Sequence, residues 1–306
     1  MSVSQWAIEV RGLWKRYGPH AAVRGIDFAV DHGEVFGILG PNGAGKTTTV
    51  EILEGFRTRS SGEVAVLGHD PAGQPLDLRR RLGVVPQEGG LPGELTVAEV
   101  IDMFRRYYPQ PMATGRLLEL VELTEVRGKR VKTLSGGQRR RVDIAVALAG
   151  DPELVFLDEP TTGFDPAARR RSWAVIRNLA AAGSTVVLTT HYMEEAQAVC
   201  DRVALLVDGQ IVASGPPSEL GSGVAPSRIS FLRPPARVSL DALMQVGGLE
   251  VDGAVVTIAV ADAPDALRQL LAWSKRHEVS LHALSVAPPT LEDTYLRLTE
   301  EVLCHE

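Results

Sequence analysis

Two kinds of apolar spacing run along the first 220 residues of this chain. Near the start, "AIEVRGL" (7–13) and "AVRGIDFAV" (22–30) alternate apolar with polar positions, the period of two that a half-exposed antiparallel strand requires. From Val35 the texture changes to continuous apolar runs, "VFGIL" at 35–39 and "LVFL" at 154–157, with helix-like segments between them. Strands that are apolar on both faces and alternate with helices predict a mainly parallel sheet covered by helices. One further helical region is expected between about Glu88 and Gly150, and "VALLVDGQIVASG" carries an Asp208-Gly209 pair suited to a hairpin turn.

After about Leu220 the pattern shortens. "GSGVAPS" reads as a linker, and beyond it "RISFL", "SLDALMQV", "AVVTIAV", "PDALRQLLAWSKRHE", "VSLHALSV" and "TLEDTYLRLTEEV" read as six short elements of a small α+β domain. The expectation is therefore an α/β domain over residues 1–220, containing a helical subdomain at 88–150, and an accessory domain over 221–306. No internal repeat is visible.

The first chemistry lies at "GPNGAGKTTT", residues 40–49. An apolar strand precedes it and a helix from Lys46 to about Phe56 is expected to follow, which is the strand, GxxxxGK[ST], helix context that a phosphate-binding loop needs. Gly40, Gly43 and Gly45 let the backbone turn its N–H groups inward, beside the positive end of the helix. Lys46 would reach the β- and γ-phosphates and Thr47 would ligate Mg²⁺. Kinases, GTPases, helicases and transport ATPases all use such a loop, so it names no reaction by itself.

The apolar run at 154–157 ends in Asp158, Glu159 and Pro160. Two carboxylates where a buried strand surfaces need a reason, because unpaired buried charge is costly. Mg²⁺ supplies one: Asp158 would bind the ion from a strand neighbouring the phosphate loop, and Glu159 would polarise an attacking water. Just upstream, Ser135 is a good N-cap, Gly136 and Gly137 permit close backbone approach, and Val142, Ala145, Val146 and Ala149 follow at helical spacing. This is a second helix N-terminus fit for phosphate.

Composition narrows the class. The 306 residues are 44% hydrophobic, with 32 Lys and Arg against 38 Asp and Glu, a net charge of −6 that argues against nucleic acid as the main partner. The Arg runs at 79–81, 139–141 and 169–171 read as solvated helix faces. Cys200 and Cys304 have no metal-ligand spacing and form no disulfide framework, as expected in a reducing compartment. No run approaches the ~18 apolar residues of a membrane span, and the N-terminus lacks the pattern of an export signal.

The whole set of motifs resembles one family, the ATP-binding-cassette (ABC) ATPases. "LSGGQ" at 134–138 is similar to the family's signature motif, Tyr17 in "KRYG" to its adenine-stacking aromatic, and Gln87 in "VVPQEGG" to the Q-loop. "TTGFDP" at 161–166 looks like the D-loop and His191 in "TTHYMEEA" like the switch histidine. The resemblance covers about residues 5–220, with Phe164 standing where many relatives have Leu. It implies a P-loop cassette with a mainly parallel core, an antiparallel N-terminal β subdomain and a helical subdomain. It also implies ATP and Mg²⁺ as ligands and cassettes paired head to tail as a homodimer. Gly40, Pro41, Asn42, Gly43, Ala44, Gly45, Lys46, Thr47 and Thr48 would hold the triphosphate in cis, and Ser135, Gly136, Gly137 and Gln138 would meet the γ-phosphate in trans. Thr47 and Asp158 would serve the metal, Glu159 would be the general base, and His191 would hold the γ-phosphate and position water; Gln87, catalytic with them, would sense Mg²⁺ and the water and pass the change to the helical region just after it, and Asp165 would link the two sites.

A cassette without membrane spans implies a separate polytopic permease and a place on the cytoplasmic face of the membrane. The tail and small domain resemble the drug-exporter group that includes antibiotic self-resistance pumps. Export of lipid or polysaccharide, import, or a soluble ABC ATPase of DNA repair or translation, stays open at this point.

Overall fold

The computed structural model describes residues 5–87, 89–220, 226–235 and 238–287. Contacts divide the chain into two compact units, Met1–Pro217 and Ser218–Glu306. The first unit opens with strands β1 (Ile8–Tyr17), β2 (His20–Val30) and β3 (Val35–Leu39), then helix α1 (Lys46–Leu53) and β4 (Ser61–Val66). Helix α2 (Leu76–Arg80) and β5 (Leu82–Val85) lead into the helices α3 (Val97–Arg105), α4 (Thr114–Leu120) and α5 (Gly136–Ala147). Strand β6 (Leu154–Asp158), α6 (Pro166–Ala181), β7 (Thr185–Thr190), α7 (Met193–Val199), β8 (Arg202–Val207) and β9 (Gln210–Gly215) complete it.

Six strands form the central sheet in the order β5-β6-β7-β3-β8-β9, parallel except for the β8–β9 hairpin. That hairpin turns at Asp208 and Gly209, both at positive φ, the turn that their identities predict. The continuous apolar runs are explained by burial on two faces. Val35, Val155, Leu157, Val186 and Leu188 join a core with the residues of α3, α4, α5 and α6. Phe36, Ile38, Leu154, Phe156 and Val187 point the other way, into a core with α1 and the antiparallel sheet β2-β1-β4. The expected fold class, mainly parallel core with antiparallel and helical subdomains, is the one observed.

Two expectations need correction. Helix α1 stops at Leu53 instead of reaching Phe56, because Gly55 takes φ +80° and reverses the chain, leaving Phe56 exposed. Strand β6 is not the neighbour of the phosphate-loop strand: β7 lies between β6 and β3. Apolar runs of similar length carry no record of which crossover places which strand where.

In the second unit, helix α8 (Pro217–Leu220) straddles the division, and β10 (Ser227–Leu232), β11 (Gly248–Asp252), β12 (Val255–Val260), α9 (Ala263–Arg276) and β13 (Ser285–Ala287) follow. The four strands pair antiparallel in the order β11-β12-β10-β13. Ile229, Phe231, Val256, Ile258 and Val260 form a core with Leu270 and Trp273 of α9. "SLDALMQV" forms a short 3-10 helix at Asp241–Gln245, and β11 is a strand that the pattern did not announce. The expected helix in "TLEDTYLRLTEEV" and most of the "GSGVAPS" linker lie outside the described residues.

Candidate active site

The carboxyl ends of β3, β6 and β7 build the site. Beyond β3 the chain turns through residues 40–45 with two glycines that no other residue could replace. A Cβ on Gly40 would stand 2.1 Å from the Leu206 carbonyl oxygen, and one on Gly45, at φ +100°, 2.3 Å from that of Ala22. Gly45 is the N-cap of α1, so the unpaired N–H groups of the first turn face the loop's concavity. Lys46 opens the helix and folds back: its Nζ donates to the carbonyl oxygens of Gly40 at 2.8 Å and Pro41 at 3.0 Å. Burial pulls the Lys46 pKa down, and the charges of Glu159 and Asp158 oppose that fall.

The end of β6 is held by Thr189, which pairs with Asp158 in the parallel register of β6 and β7. The Thr189 hydroxyl donates to Asp158 Oδ1 and accepts the Glu159 N–H at 3.0 Å. Asp158 Oδ2 lies 3.4 Å from Thr47 Oγ1. Glu159 itself adopts φ +46°, a left-handed conformation strained for a residue with a Cβ, which aims its side chain away from β6. Its Oε2 accepts from Thr162 Oγ1 at 3.0 Å, and its Oε1 lies 3.2 Å from His191 Nδ1 and 3.8 Å from Lys46 Nζ. With its proton on Nδ1, the imidazole donates to the carboxylate and keeps Nε2 for another partner.

These groups converge on a cleft of about 700 Å³ whose lining includes Tyr17, Asn42, Gly43, Gly45, Lys46, Thr47, Thr48, Gln87, Glu159, Thr162 and His191, a size ordinary for a small-molecule site. Tyr17 is partly exposed at this cleft, with Lys15 Nζ 5.0 Å and Arg57 5.4 Å from its ring centre. Among the described residues no cluster of three His, Cys, Asp or Glu side chains could enclose a metal. Thr47 and Asp158 nevertheless present a pair of oxygens of the kind that suits a hard cation sharing its shell with phosphate oxygens and water.

Known proteins resemble this chain over most of its length. The chain is 38% identical over 302 residues to the Nod factor export ATP-binding protein I of Ralstonia nicotianae, covering 95% of this chain and 93% of that one. It belongs to the ABC transporter family. It is 36% identical to the daunorubicin resistance ATP-binding protein DrrA3 of Streptomyces coeruleorubidus, with 96% of each covered. The ABC transporter family model matches residues 23–162, and one for the C-terminal domain of ABC transporter domain-containing protein-like matches 227–290. A solved ATP-binding cassette, a dimer in a post-hydrolysis state bound to ADP and Pi, is 26% identical with a TM-score of 0.60, covering 68% of this chain and 98% of that one. The chain is thus an ATP-hydrolysing ABC subunit that binds ATP.

In this ABC subunit not every residue singled out from the sequence reaches the cleft. Gly40, Pro41 and Ala44 shape the loop without lining it, the Ala44 side chain is buried in the core, and Asp158, buried against Thr189 and Thr47, does not line the cleft either. Ser135, Gly136, Gly137 and Gln138 also stand apart from it. Ser135 caps α5 in a reciprocal capping box with Gln138, and Gly136 lines a second cavity of about 470 Å³. Asp165 is the N-cap of α6, accepting from the Ala167 and Ala168 N–H groups at 2.9 Å.

The solvated reading of the Arg runs fails at one of them. Arg79 and Arg80 are exposed, but Arg140 and Arg141 are each 7% exposed and donate to main-chain carbonyls. Polar spacing on a helix cannot reveal this, since the carbonyls come from distant segments. Thr189, Thr162 and Glu195 were also missed, although all three sit within or beside motifs already noted, in "LTTHYMEEA" and "TTGFDP".

Proposed function

We propose that this subunit powers export of a drug, antibiotic or other hydrophobic compound through a separate membrane permease, on the cytoplasmic face of the membrane. The observation that carries the ATPase part is the convergence of Lys46 Nζ, the Glu159 carboxylate and His191 within 3.8 Å in one cleft. Lys46, the loop N–H groups and Thr48 bind the triphosphate, and Tyr17 takes the adenine. Thr47, Asp158 and Gln87 would hold Mg²⁺, which would neutralise charge on the phosphate oxygens. Glu159 accepts a proton from the water whose oxygen attacks the γ-phosphorus, as the bond to the ADP oxygen breaks. The hydrogen bonds from Thr162 and His191 keep that carboxylate aimed.

Export is supported by the name of the Nod factor relative and a drug as cargo by that of the daunorubicin resistance relative, and a partner in the membrane by membership of the ABC transporter family. Head-to-tail pairing as a homodimer is supported by the position of the capped N-terminus of α5, on a surface apart from the cleft. There Ser135, Gly136, Gly137 and Gln138 meet the γ-phosphate held by the partner, with Asp165 at the same interface. Loss of the γ-phosphate weakens that contact and opens the pair, and the difference in affinity between states does the work.

The near-equal likeness to a Nod factor exporter and a daunorubicin resistance protein keeps lipid or polysaccharide cargo as the second reading. Two experiments test the proposal. Glu159→Gln, purified with ATP, should elute as a dimer on gel filtration, and a persistent monomer would remove the sandwich model. A tagged chain taken from its own cells in gentle detergent should carry a polytopic membrane protein. A pool bound to ribosomes or DNA instead would leave the ATPase intact and end the transport reading.

A further inference from the structure

Arg140 occupies a junction that none of the motif assignments covers. It lies in the second turn of α5, five residues beyond Ser135, with 7% exposure. Its Nη2 donates to the Asp158 carbonyl oxygen at 2.6 Å, and its Nη1 donates to that of Pro86. The next residues in the chain are Glu159 and Gln87. One guanidinium on the signature helix is thereby tied to the main chain immediately before two of the groups that face the nucleotide cleft.

The cavities place this tie with respect to the chemistry. Gln87, Glu159 and Thr162 line both the 700 Å³ cleft and the second cavity, so they form the wall between them. Arg140 lines the second cavity with Arg139, Asp143 and Gly136. Asp143, one turn along α5, attracts Arg140, as do Asp158 and Glu195. Gly89 packs so closely on Asp143 that a Cβ there would stand 2.5 Å from its carboxylate. The segment around Gln87 is thus gripped twice by α5.

We propose that Arg140 is a positioning residue that couples the Gln87 and Glu159 turns to the signature helix, so that the state of the cleft sets the position of Ser135 and Gly136. This rests on the reading of the cleft as the ATP site and of α5 as the surface that meets the partner's nucleotide. A planar fork can hold two carbonyls at once, whereas an ammonium is a single point charge on a flexible stem. Arg140→Lys therefore keeps the charge and loses the bridge.

The test uses the full chain, with ATP and Mg²⁺ as the probe. Arg140→Lys and Arg140→Gln should bind ATP as monomers within about twofold of the parent while kcat falls about tenfold, the effect of one lost charged hydrogen bond. In the Glu159→Gln background, Arg140→Lys should abolish the ATP-dependent dimer. A kcat within about twofold of the parent would overturn the coupling role. So would an ATP affinity that drops as far as kcat, because Arg140 would then only support the fold. If Glu159→Gln alone never dimerises, the sandwich reading fails separately, and the split between ATP affinity and kcat still decides Arg140.

Discussion

Glu195 offers a sharp test of how the turns around the catalytic cleft are held. It is 0% exposed on α7, and its Oε1 accepts from Thr161 Oγ1 at 2.8 Å and from Trp173 Nε1 at 3.1 Å. Thr161 lies two residues beyond Glu159, and Trp173 sits on α6, so the carboxylate joins three segments. Burial pushes the Glu195 pKa up, while the hydroxyls of Thr190 and Thr161, the Trp173 indole and the Arg169 charge hold it down. Glu195→Ala strands two buried donors at ~1–3 kcal/mol each and leaves a cavity, for a total of about 3–5 kcal/mol. Glu195→Gln keeps an acceptor oxygen and removes a buried charge, so it should cost under about 1.5 kcal/mol.

At ~2–4 °C per kcal/mol for a unit of this size, the alanine variant should melt ~6–20 °C below the parent and the glutamine variant within a few degrees. Differential scanning calorimetry of the purified variants at neutral pH reads this directly. The sign of the pH dependence follows from the raised pKa. Stability that Glu195 contributes in its neutral form is full below its unfolded value, 4.5 for an ordinary glutamate, and is lost as pH rises through the folded value. The glutamine variant should therefore gain on the parent as pH increases. An alanine variant within about 2 °C of the parent, or a glutamine variant as damaged as the alanine one, would refute the hydrogen-bonded latch.

Lys46→Ala should lower kcat/KM by ~10²-fold or more if the buried charge meets the phosphates as proposed; near-normal turnover would displace the ATP site from this loop. Glu54, at the end of α1, is pushed up to about 8 by burial first and then by Asp158 and Glu51. A raised carboxyl costs stability above its unfolded value of 4.5, so Glu54→Gln should stabilise the protein by about 2–3 kcal/mol at pH 7. Melting curves of the pair should converge near pH 4, and a gain independent of pH would show that its charge is not the cause. A fragment ending at Leu220 should keep its ATP affinity in titration calorimetry, and a folded fragment without affinity would place part of the site beyond the cassette.

How far the sequence could be read depended on whether a residue's role is set by its neighbours in the chain or by segments brought from elsewhere. The loop at 40–45 was legible because its glycines and lysine keep a fixed local spacing between the end of β3 and the helix that Lys46 starts, although the carbonyls that exclude a Cβ at Gly40 and Gly45 come from Leu206 and Ala22. The strands β3 and β6 were legible as buried on both faces, yet their separation by β7 was not, since a parallel crossover leaves no mark in either strand. The same difference explains Arg140 and Thr189. A guanidinium that bonds carbonyls 18 and 54 residues away has the spacing of one facing water. A threonine whose hydroxyl donates to the Asp158 carboxylate and accepts the Glu159 N–H has the same local pattern as any strand threonine. The motifs thus name the groups that face the cleft, while groups that orient them, Thr189 on the adjacent strand and Arg140 on α5, come from segments that only the fold brings into register.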